Sequence, residues 1–372
     1  MHEPKQTEKT KLSALMLGLV AFVFLSGFSG VEKPVELAAS SSSAYFQVLE
    51  NYDPEQAYVP SKKWSKLVRP EIAGWSSKGL AKAKKFTSTL LTKAVVIIEN
   101  GIVIDAWGEL SKRIKAHSIR KSFLSALYGT AVADGDIRLS ETLLDLGIND
   151  KQDLTPRELR TPVSDLLKAR SGIYHPANYE TSSMRKKRPK RGSHLPGTFW
   201  YYNNWDFNAL LTIYEKRTRT GFFRSFEKRI AKPLQMEHFR LKDTKYYRGK
   251  YSKHPAYLFR MSALDMARIG LLYLRNGKWG PRQIIPAAWV KESTTSYSKT
   301  GQRGLYKGYG YLWWIGDAGF VAAGTGGQKI IVLPKYNLVV VHRVDTDKKG
   351  QRVRGKNIRK LLTMILEAKS PN

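Results

Sequence analysis

The chain has 372 residues, of which 42% are hydrophobic, so it can bury a substantial core and is not a disordered protein. It contains no cysteine, which excludes disulfides, thiolate metal sites and cysteine nucleophiles. Lysine and arginine number 63 against 31 aspartates and glutamates, and this net charge of +32 attracts anionic partners.

The N-terminus predicts a segment that directs the protein out of the cytoplasm. Lysines precede an apolar run over residues 12–28, which is the order found in an export signal. The run is close to the shortest length that spans a bilayer, so residues 1–30 are expected to be either a cleaved signal peptide or a membrane anchor. Residues 31–60 are expected to be a tether. The expected location is therefore periplasmic or extracellular, with anchoring to the inner membrane as the alternative.

Export also narrows the partners that the positive charge predicts. An export signal argues against nucleic acid as the partner and favours anionic envelope polymers or lipid surfaces, with a contribution of the charge to solubility alone as the alternative. The densest basic block, residues 185–191, is expected to be a solvated loop.

The first predicted elements after the tether are a helix over residues 75–92 and a β-hairpin. The hairpin strands, 94–99 and 102–107, are joined by Asn100-Gly101, the strongest two-residue hairpin signal. A further helix is expected over residues 118–134, directly after this hairpin.

The remaining elements predict the fold class. Helical periods dominate residues 136–256, residues 309–344 read as strands, and residues 356–368 form an amphipathic helix. The expected fold is α/β of the α+β type, with an antiparallel sheet built from segments 61–135 and 257–372 and flanked by helices. The helical residues 136–256 form an inserted subdomain.

A serine and a lysine open the helix predicted from residue 118. Residues three apart on a helix share a face, so Lys121 can act as base for the Ser118 hydroxyl. Arg120 is expected on another face. The chain contains four Ser-x-x-Lys sequences, which begin at Ser118, Ser183, Ser225 and Ser296. Only the first of them follows a predicted hairpin and opens a helix.

Acyl transfer also needs a proton donor for the leaving group and hydrogen-bond donors for the oxyanion. Downstream, Tyr-x-Asn occurs in two overlapping registers, Tyr201/Asn203 and Tyr202/Asn204. Further on, the glycine-rich residues 323–328 lead into a predicted strand, where backbone N–H groups can approach a substrate.

The order of these three motifs resembles the class C β-lactamase-related serine hydrolases, a superfamily that includes penicillin-binding proteins. The resemblance runs from about Val95 to the last helix and implies a β-lactamase/transpeptidase-like fold. By position it implies that Ser118 is the acylated nucleophile, Lys121 its base and Tyr201 the proton relay. Tyr202 is the alternative register for the relay.

The resemblance also implies a substrate-binding role for Asn203, Gly324, Thr325, Gly326 and Gly327. The backbone N–H groups of Ser118 and Gly327 would be the oxyanion donors. The third motif departs from the family, because Gly324 stands where a lysine or histidine is usual. A literal Lys-Thr-Gly at residues 299–301 lies in a polar loop without an alternating apolar face and is interpreted as a decoy.

The predicted function is that of an exported serine hydrolase cleaving a small-molecule or peptide ester or amide. Neither a metal nor an organic cofactor is expected, since the seven histidines show no metal-ligand spacing. A β-lactamase or penicillin-binding D-alanyl peptidase is the first alternative, made less favourable by the absent cation before Thr325. A non-catalytic, basic envelope-binding protein is the second.

Overall fold

The computed structural model describes residues 44–302 and 306–369, which belong to one compact unit. The predicted signal or anchor and the first part of the predicted tether lie outside the described residues. Within the described ranges, no helix combines the length and the apolar character needed to cross a bilayer.

The elements alternate between strands and helices along most of the chain. The strands are β1 (Phe46–Leu49), β2 (Trp64–Leu67), β3 (Thr92–Glu99), β4 (Ile102–Gly108), β5 (Ile114–Lys115), β6 (Thr244–Tyr247), β7 (Ala256–Met261), β8 (Lys278–Trp279), β9 (Arg282–Gln283), β10 (Ser298–Lys299), β11 (Gly308–Tyr309), β12 (Trp314–Gly316), β13 (Gly319–Gly324), β14 (Gln328–Leu333) and β15 (Leu338–Val344). The α-helices are α1 (Ser77–Ser88), α2 (Arg120–Ala133), α3 (Pro156–Leu159), α4 (Val163–Leu167), α5 (Ser182–Lys187), α6 (Asn204–Thr218), α7 (Phe222–Phe226), α8 (Ala263–Leu274), α9 (Ala287–Ser293) and α10 (Gly355–Glu367).

The main sheet is built from both ends of the chain, as predicted. Its strand order is β1-β2-β4-β3-β15-β14-β13-β12-β11-β10, and the antiparallel pair of β3 with β15 joins the N-terminal hairpin to the C-terminal strands. The hairpin turn is where the sequence places it, with Asn100 and Gly101 both at positive φ.

One edge of the sheet differs from the prediction. Strand β1 pairs with β2, and β2 with β4, in parallel. The sheet is therefore mixed rather than wholly antiparallel. Because Phe46–Leu49 forms this edge strand, the last part of the segment predicted to be a tether belongs to the folded unit.

Side chains alternate between two cores on the two faces of the sheet, as the period of a strand requires. Val96 and Ile98 of β3 pack into a core that also contains α2, α6 and α8. Val95 and Ile97 pack on the opposite face, against α1 and α10. The result is a central sheet with helices on both faces.

The inserted region, residues 136–256, is less uniformly helical than predicted. It contains α3–α7 but also β6, which pairs with β7 in a small sheet of order β5-β7-β6. Helix α6 packs against α2, α4 and α7, and this contact brings the region against the helix that begins just after Ser118.

A buried arginine joins the small sheet to the main one. Arg343 of β15 is 0% exposed, and its guanidinium donates to the carbonyls of Met261 and Ile114 and to the Gln328 side chain at 2.8–2.9 Å. Ile114 lies in β5, shortly before Ser118. The position of the serine segment therefore depends on this buried cation.

We expect Arg343→Met to lower the free energy of unfolding by about 3 kcal/mol, because it leaves several buried acceptors without a donor. Urea unfolding followed by circular dichroism measures the change. Arg352→Met, at an exposed arginine, is the matched control and should change the value little. Equal effects of the two substitutions would contradict the role assigned to Arg343.

Candidate active site

Ser118 lies where the chain passes from β5 into α2. A 3-10 turn, His117–Ile119, runs directly into α2, so Ser118 sits at the N-terminal, positive end of a helix. His117 adopts φ +50°, a value that few non-glycine residues take, and its Nε2 lies 2.7 Å from Thr346 Oγ1. That hydrogen bond ties the turn to the loop after β15.

Lys121 contacts the serine in the way the sequence predicts. Its Nζ lies 3.1 Å from Ser118 Oγ and 2.7 Å from the Tyr202 hydroxyl. The side chain is buried, and burial together with the charge of neighbouring Arg120 holds the pKa of Lys121 well below its usual value. The amine can therefore be neutral at a pH where an exposed lysine is protonated.

The structure places Tyr202, rather than Tyr201, beside this lysine. The Tyr201 hydroxyl donates to the Met184 carbonyl at 2.8 Å, away from Ser118. The two tyrosines lie in the extended segment before α6, where consecutive side chains point in opposite directions. Burial raises the pKa of Tyr202 to about 12, so its hydroxyl stays protonated at physiological pH.

The asparagine register also shifts by one residue. Asn203 is buried as the N-cap of α6, where its amide donates to the Ile173 carbonyl and to Asp206. Asn204 instead lines the cavity at Ser118, with its Nδ2 bound to the Tyr179 carbonyl and its buried Oδ1 without a partner. Asn204 is thus the residue free to meet a ligand, and Asn203 has a structural role.

A cavity of about 520 Å³ opens beside Ser118. Its walls include Tyr202, Asn204 and Thr325, so parts of all three predicted motifs meet there. The predicted substrate-binding residues Gly324, Gly326 and Gly327 adjoin this wall at the β13–β14 turn, where Gly326 and Gly327 have φ of +85° and +107°.

The packing of Gly324 explains the absent cation of the third motif. A Cβ at Gly324 would lie 2.6 Å from the Ala116 carbonyl oxygen and 3.2 Å from the His117 Cβ. A lysine or histidine does not fit there unless the serine segment moves. The alternative triplet at 299–301 begins in β10, at the far edge of the sheet from β3, and does not line the cavity. Lys299 is in a short strand, contrary to the loop expected for it.

The sequence interpretation also placed Arg120 wrongly. This residue lines the same cavity as Ser118 and is only 2% exposed, with its guanidinium over the rings of Tyr179 and Tyr257. Regular helical spacing predicts that Arg120 lies on a different face from Ser118. Residues 117–119 instead form a 3-10 turn, and the long Arg120 side chain reaches the cavity. Tyr179, another cavity residue, lies in a loop that carries no recognisable sequence signal.

Comparisons with known proteins show the family and the fold of the chain. The family model described as Beta-lactamase matches residues 93–364, and the chain belongs to this family. Solved structures with the same fold include the octameric penicillin-binding protein homologue from Pyrococcus abyssi (18% identity, 78% of this chain and 77% of that one, TM-score 0.56). Another is a β-lactamase from Mycobacterium bovis (17% identity, 77% of this chain and 100% of that one, TM-score 0.55). A third is FmtA from Staphylococcus aureus (15% identity, 79% of this chain and 90% of that one, TM-score 0.56).

A comparison with curated proteins gives no match. The family resemblance and the α/β fold of the β-lactamase/transpeptidase type, both predicted from the sequence, are confirmed. Hydrolase chemistry of the general kind found in this family is supported as well.

Proposed function

We propose that the protein is a serine hydrolase that cleaves an ester or amide through an acyl-enzyme on Ser118. The observation that carries the proposal is the unbroken series of contacts from Ser118 Oγ to Lys121 Nζ to the Tyr202 hydroxyl, at 3.1 and 2.7 Å, on the wall of an open cavity. A lysine with a lowered pKa is suited to removing the serine proton.

In the proposed acylation step, Ser118 Oγ bonds to the substrate carbonyl carbon while its proton moves to neutral Lys121. The carbonyl electron pair moves to the oxygen, where the Ser118 and Gly327 N–H groups would stabilise the charge. The oxyanion then re-forms the C=O bond and expels the leaving group, which Tyr202 protonates, and Tyr202 regains a proton from Lys121. A water molecule next adds to the acyl carbon and gives a proton to Lys121, which returns it to Ser118 Oγ as the ester bond breaks and the acid is released. The relay role proposed from the sequence for Tyr201 therefore passes to Tyr202.

A β-lactamase or D-alanyl peptidase is the less favoured substrate assignment. The position before Thr325 has no room for a cation, and the family places its carboxylate-binding lysine or histidine there. Aromatic side chains line much of the cavity, including Tyr179, Tyr247 and Tyr251, and favour substrates with apolar parts.

Intact-mass analysis after treatment with a fluorophosphonate tests the nucleophile. We expect one adduct on the wild-type protein and none on Ser118→Ala. Ser183→Ala is the matched control, because Ser183 begins another Ser-x-x-Lys sequence on an exposed helix, and it should label fully. Labelling that persists in Ser118→Ala would remove Ser118 from the mechanism. A stable adduct with penicillin would favour the peptidase alternative.

The pH dependence tests the state of Lys121. For an uncharged ester, kcat/KM should rise with pH until Lys121 loses its proton and then stay level below the Tyr202 pKa of about 12. Arg120→Gln removes a positive charge that disfavours the protonated amine, so the pKa of Lys121 rises and the acid limb moves to higher pH. Arg120→Lys keeps the charge and should leave the limb nearer its original position. A limb that stays in place in Arg120→Gln would contradict this electrostatic role.

We also propose that the protein acts outside the cytoplasm, where its charge of +32 would attract anionic envelope polymers. The support is the lysine-preceded apolar run at residues 12–28. The mass of the native protein tests this. Loss of about the first 30 residues would indicate a cleaved signal, whereas an intact N-terminus in the membrane fraction would indicate an anchor. An intact, cytoplasmic protein would contradict export.

A further inference from the structure

We infer that Arg120 forms a carboxylate-binding subsite in the cavity at Ser118, so that the substrate carries a carboxylate beside its scissile ester or amide bond. This inference rests on the proposed hydrolase function and adds a substrate class to it.

The guanidinium of Arg120 has two buried donors without partners. Its Nη1 donates to the His117 carbonyl at 3.0 Å, but Nε and Nη2 have no hydrogen-bond partner. None of the described carboxylates lies within ion-pair distance of this side chain, which is 2% exposed. Nε and Nη2 form one edge of the guanidinium, and that edge matches the two oxygens of a carboxylate.

A buried guanidinium without hydrogen-bond partners is costly, because its charge has left water without gaining a compensating partner. Tyr179 and Tyr257 offset part of the cost, with their ring centroids 5.4 and 5.2 Å from the guanidinium carbon. Ring contacts satisfy the faces of the guanidinium. The N–H groups along its edge lie in the plane of the guanidinium, and Nε and Nη2 have no partner among the described residues.

The other charges of the cavity do not neutralise Arg120. Glu180 also lines the cavity, but it pairs with Arg188. Arg185, which also lines the cavity, adds a second positive charge. The cavity is therefore electropositive, and an anionic substrate would be drawn into it.

The short separation of Arg120 from Ser118 along the chain limits where the substrate carboxylate can lie. Arg120 follows Ser118 by two residues, and Asn204 presents a buried, unpaired Oδ1 to the same cavity. A substrate whose carboxylate binds Arg120 and whose N–H or O–H group donates to Asn204 would satisfy both. The anion then lies on the wall with Tyr179 and not at Gly324, where the family's usual cation is absent.

Equilibrium binding in a Ser118→Ala background tests the subsite without turnover. The probes are monomethyl glutarate, an ester with a free carboxylate, and dimethyl glutarate, which lacks the carboxylate. By isothermal titration calorimetry, we expect Arg120→Gln to weaken the binding of monomethyl glutarate by about 10-fold or more, as loss of a charged hydrogen-bonded pair predicts. The Kd of dimethyl glutarate should be unchanged.

Two further variants keep this result interpretable. Arg185→Gln removes an exposed arginine of the same cavity and should change the Kd for monomethyl glutarate by less than about threefold, as expected for a screened surface charge. Arg120→Lys keeps the charge but loses the two-donor edge, so its Kd for monomethyl glutarate should lie between those of Arg120→Gln and the parent. Thermal melts of each variant show whether the fold is retained.

The same comparison can be made during turnover. This experiment uses protein that retains Ser118 and two esters, 4-nitrophenyl hydrogen glutarate, which carries a carboxylate, and 4-nitrophenyl valerate, which does not. The ratio of kcat/KM for the first ester to that for the second should fall about 10-fold or more in Arg120→Gln. A change in the pKa of Lys121 affects kcat/KM for both esters alike and therefore cancels in the ratio.

The subsite is refuted if the parent does not bind monomethyl glutarate, or if folded Arg120→Gln binds it as tightly as the parent does. If fluorophosphonate labels Ser118 and the carboxylate dependence is absent, only the subsite fails. If binding depends on Arg120 but Ser118 is not labelled, the hydrolase proposal fails and the subsite stands.

Discussion

Lys121→Met should lower kcat/KM for a neutral activated ester by about 10³-fold or more, which is the scale expected for loss of a base that activates a serine. Methionine retains an unbranched, buried side chain, so the cavity wall is preserved. What is lost is the amine 3.1 Å from Ser118 Oγ and 2.7 Å from the Tyr202 hydroxyl. Without it, the serine proton has no acceptor and Tyr202 has no source for its proton.

Lys329→Met is the matched control for this experiment. Lys329 is a half-buried lysine, and desolvation lowers its pKa to about 8, but it lies in β14 over the Tyr306 ring and does not line the cavity. We expect the activity of Lys329→Met to stay close to that of the wild type. Comparable losses in the two variants would mean that the effect comes from burial of a lysine in the fold and not from catalysis.

Tyr202→Phe should lower the same rate by about 10²-fold or more, whereas Tyr201→Phe should change it by less than about threefold. The two substitutions remove the same atom from neighbouring residues. Only the Tyr202 hydroxyl contacts Lys121, while that of Tyr201 donates to the Met184 carbonyl. Steady-state kinetics with a neutral ester measures both.

The leaving group makes this comparison sharper. An amide nitrogen needs a proton to depart far more than a nitrophenolate does, so the loss in Tyr202→Phe should be larger for an amide than for the activated ester. A larger loss in Tyr201→Phe would restore the register implied by the sequence resemblance. Equal losses for both leaving groups would assign Tyr202 a role other than proton transfer.

The position of the positive charge in the cavity differs from the family pattern. The cation before Thr325 is absent, and an unpaired arginine lies elsewhere in the cavity lining. Gly324 packs against Ala116 and His117 so closely that no side chain fits. Arg120, two residues after Ser118, supplies a positive charge on another wall. The proposed site keeps the serine and lysine of the family resemblance, but its positive charge lies elsewhere, and the proposed substrates differ accordingly.

Local spacing was enough to predict the features that depend on neighbouring residues. Ser118 and Lys121 meet because three residues make almost one helical turn, and Asn100-Gly101 forms its hairpin because both residues accept positive φ. The sheet built from both ends was also predictable, since β15 is a buried apolar strand that has to pair with another strand.

Tertiary structure decided what depends on contacts between distant segments. In an extended segment a shift of one residue reverses the side-chain direction, so the choice between Tyr201 and Tyr202 needed the position of α2 relative to α6. The place of Arg120 depended on the 3-10 turn and on Tyr179 and Tyr257, which lie far away in the chain. The sequence thus determined the family, the fold class and the contact between Ser118 and Lys121. Packing decided which tyrosine, asparagine and arginine lie near this pair.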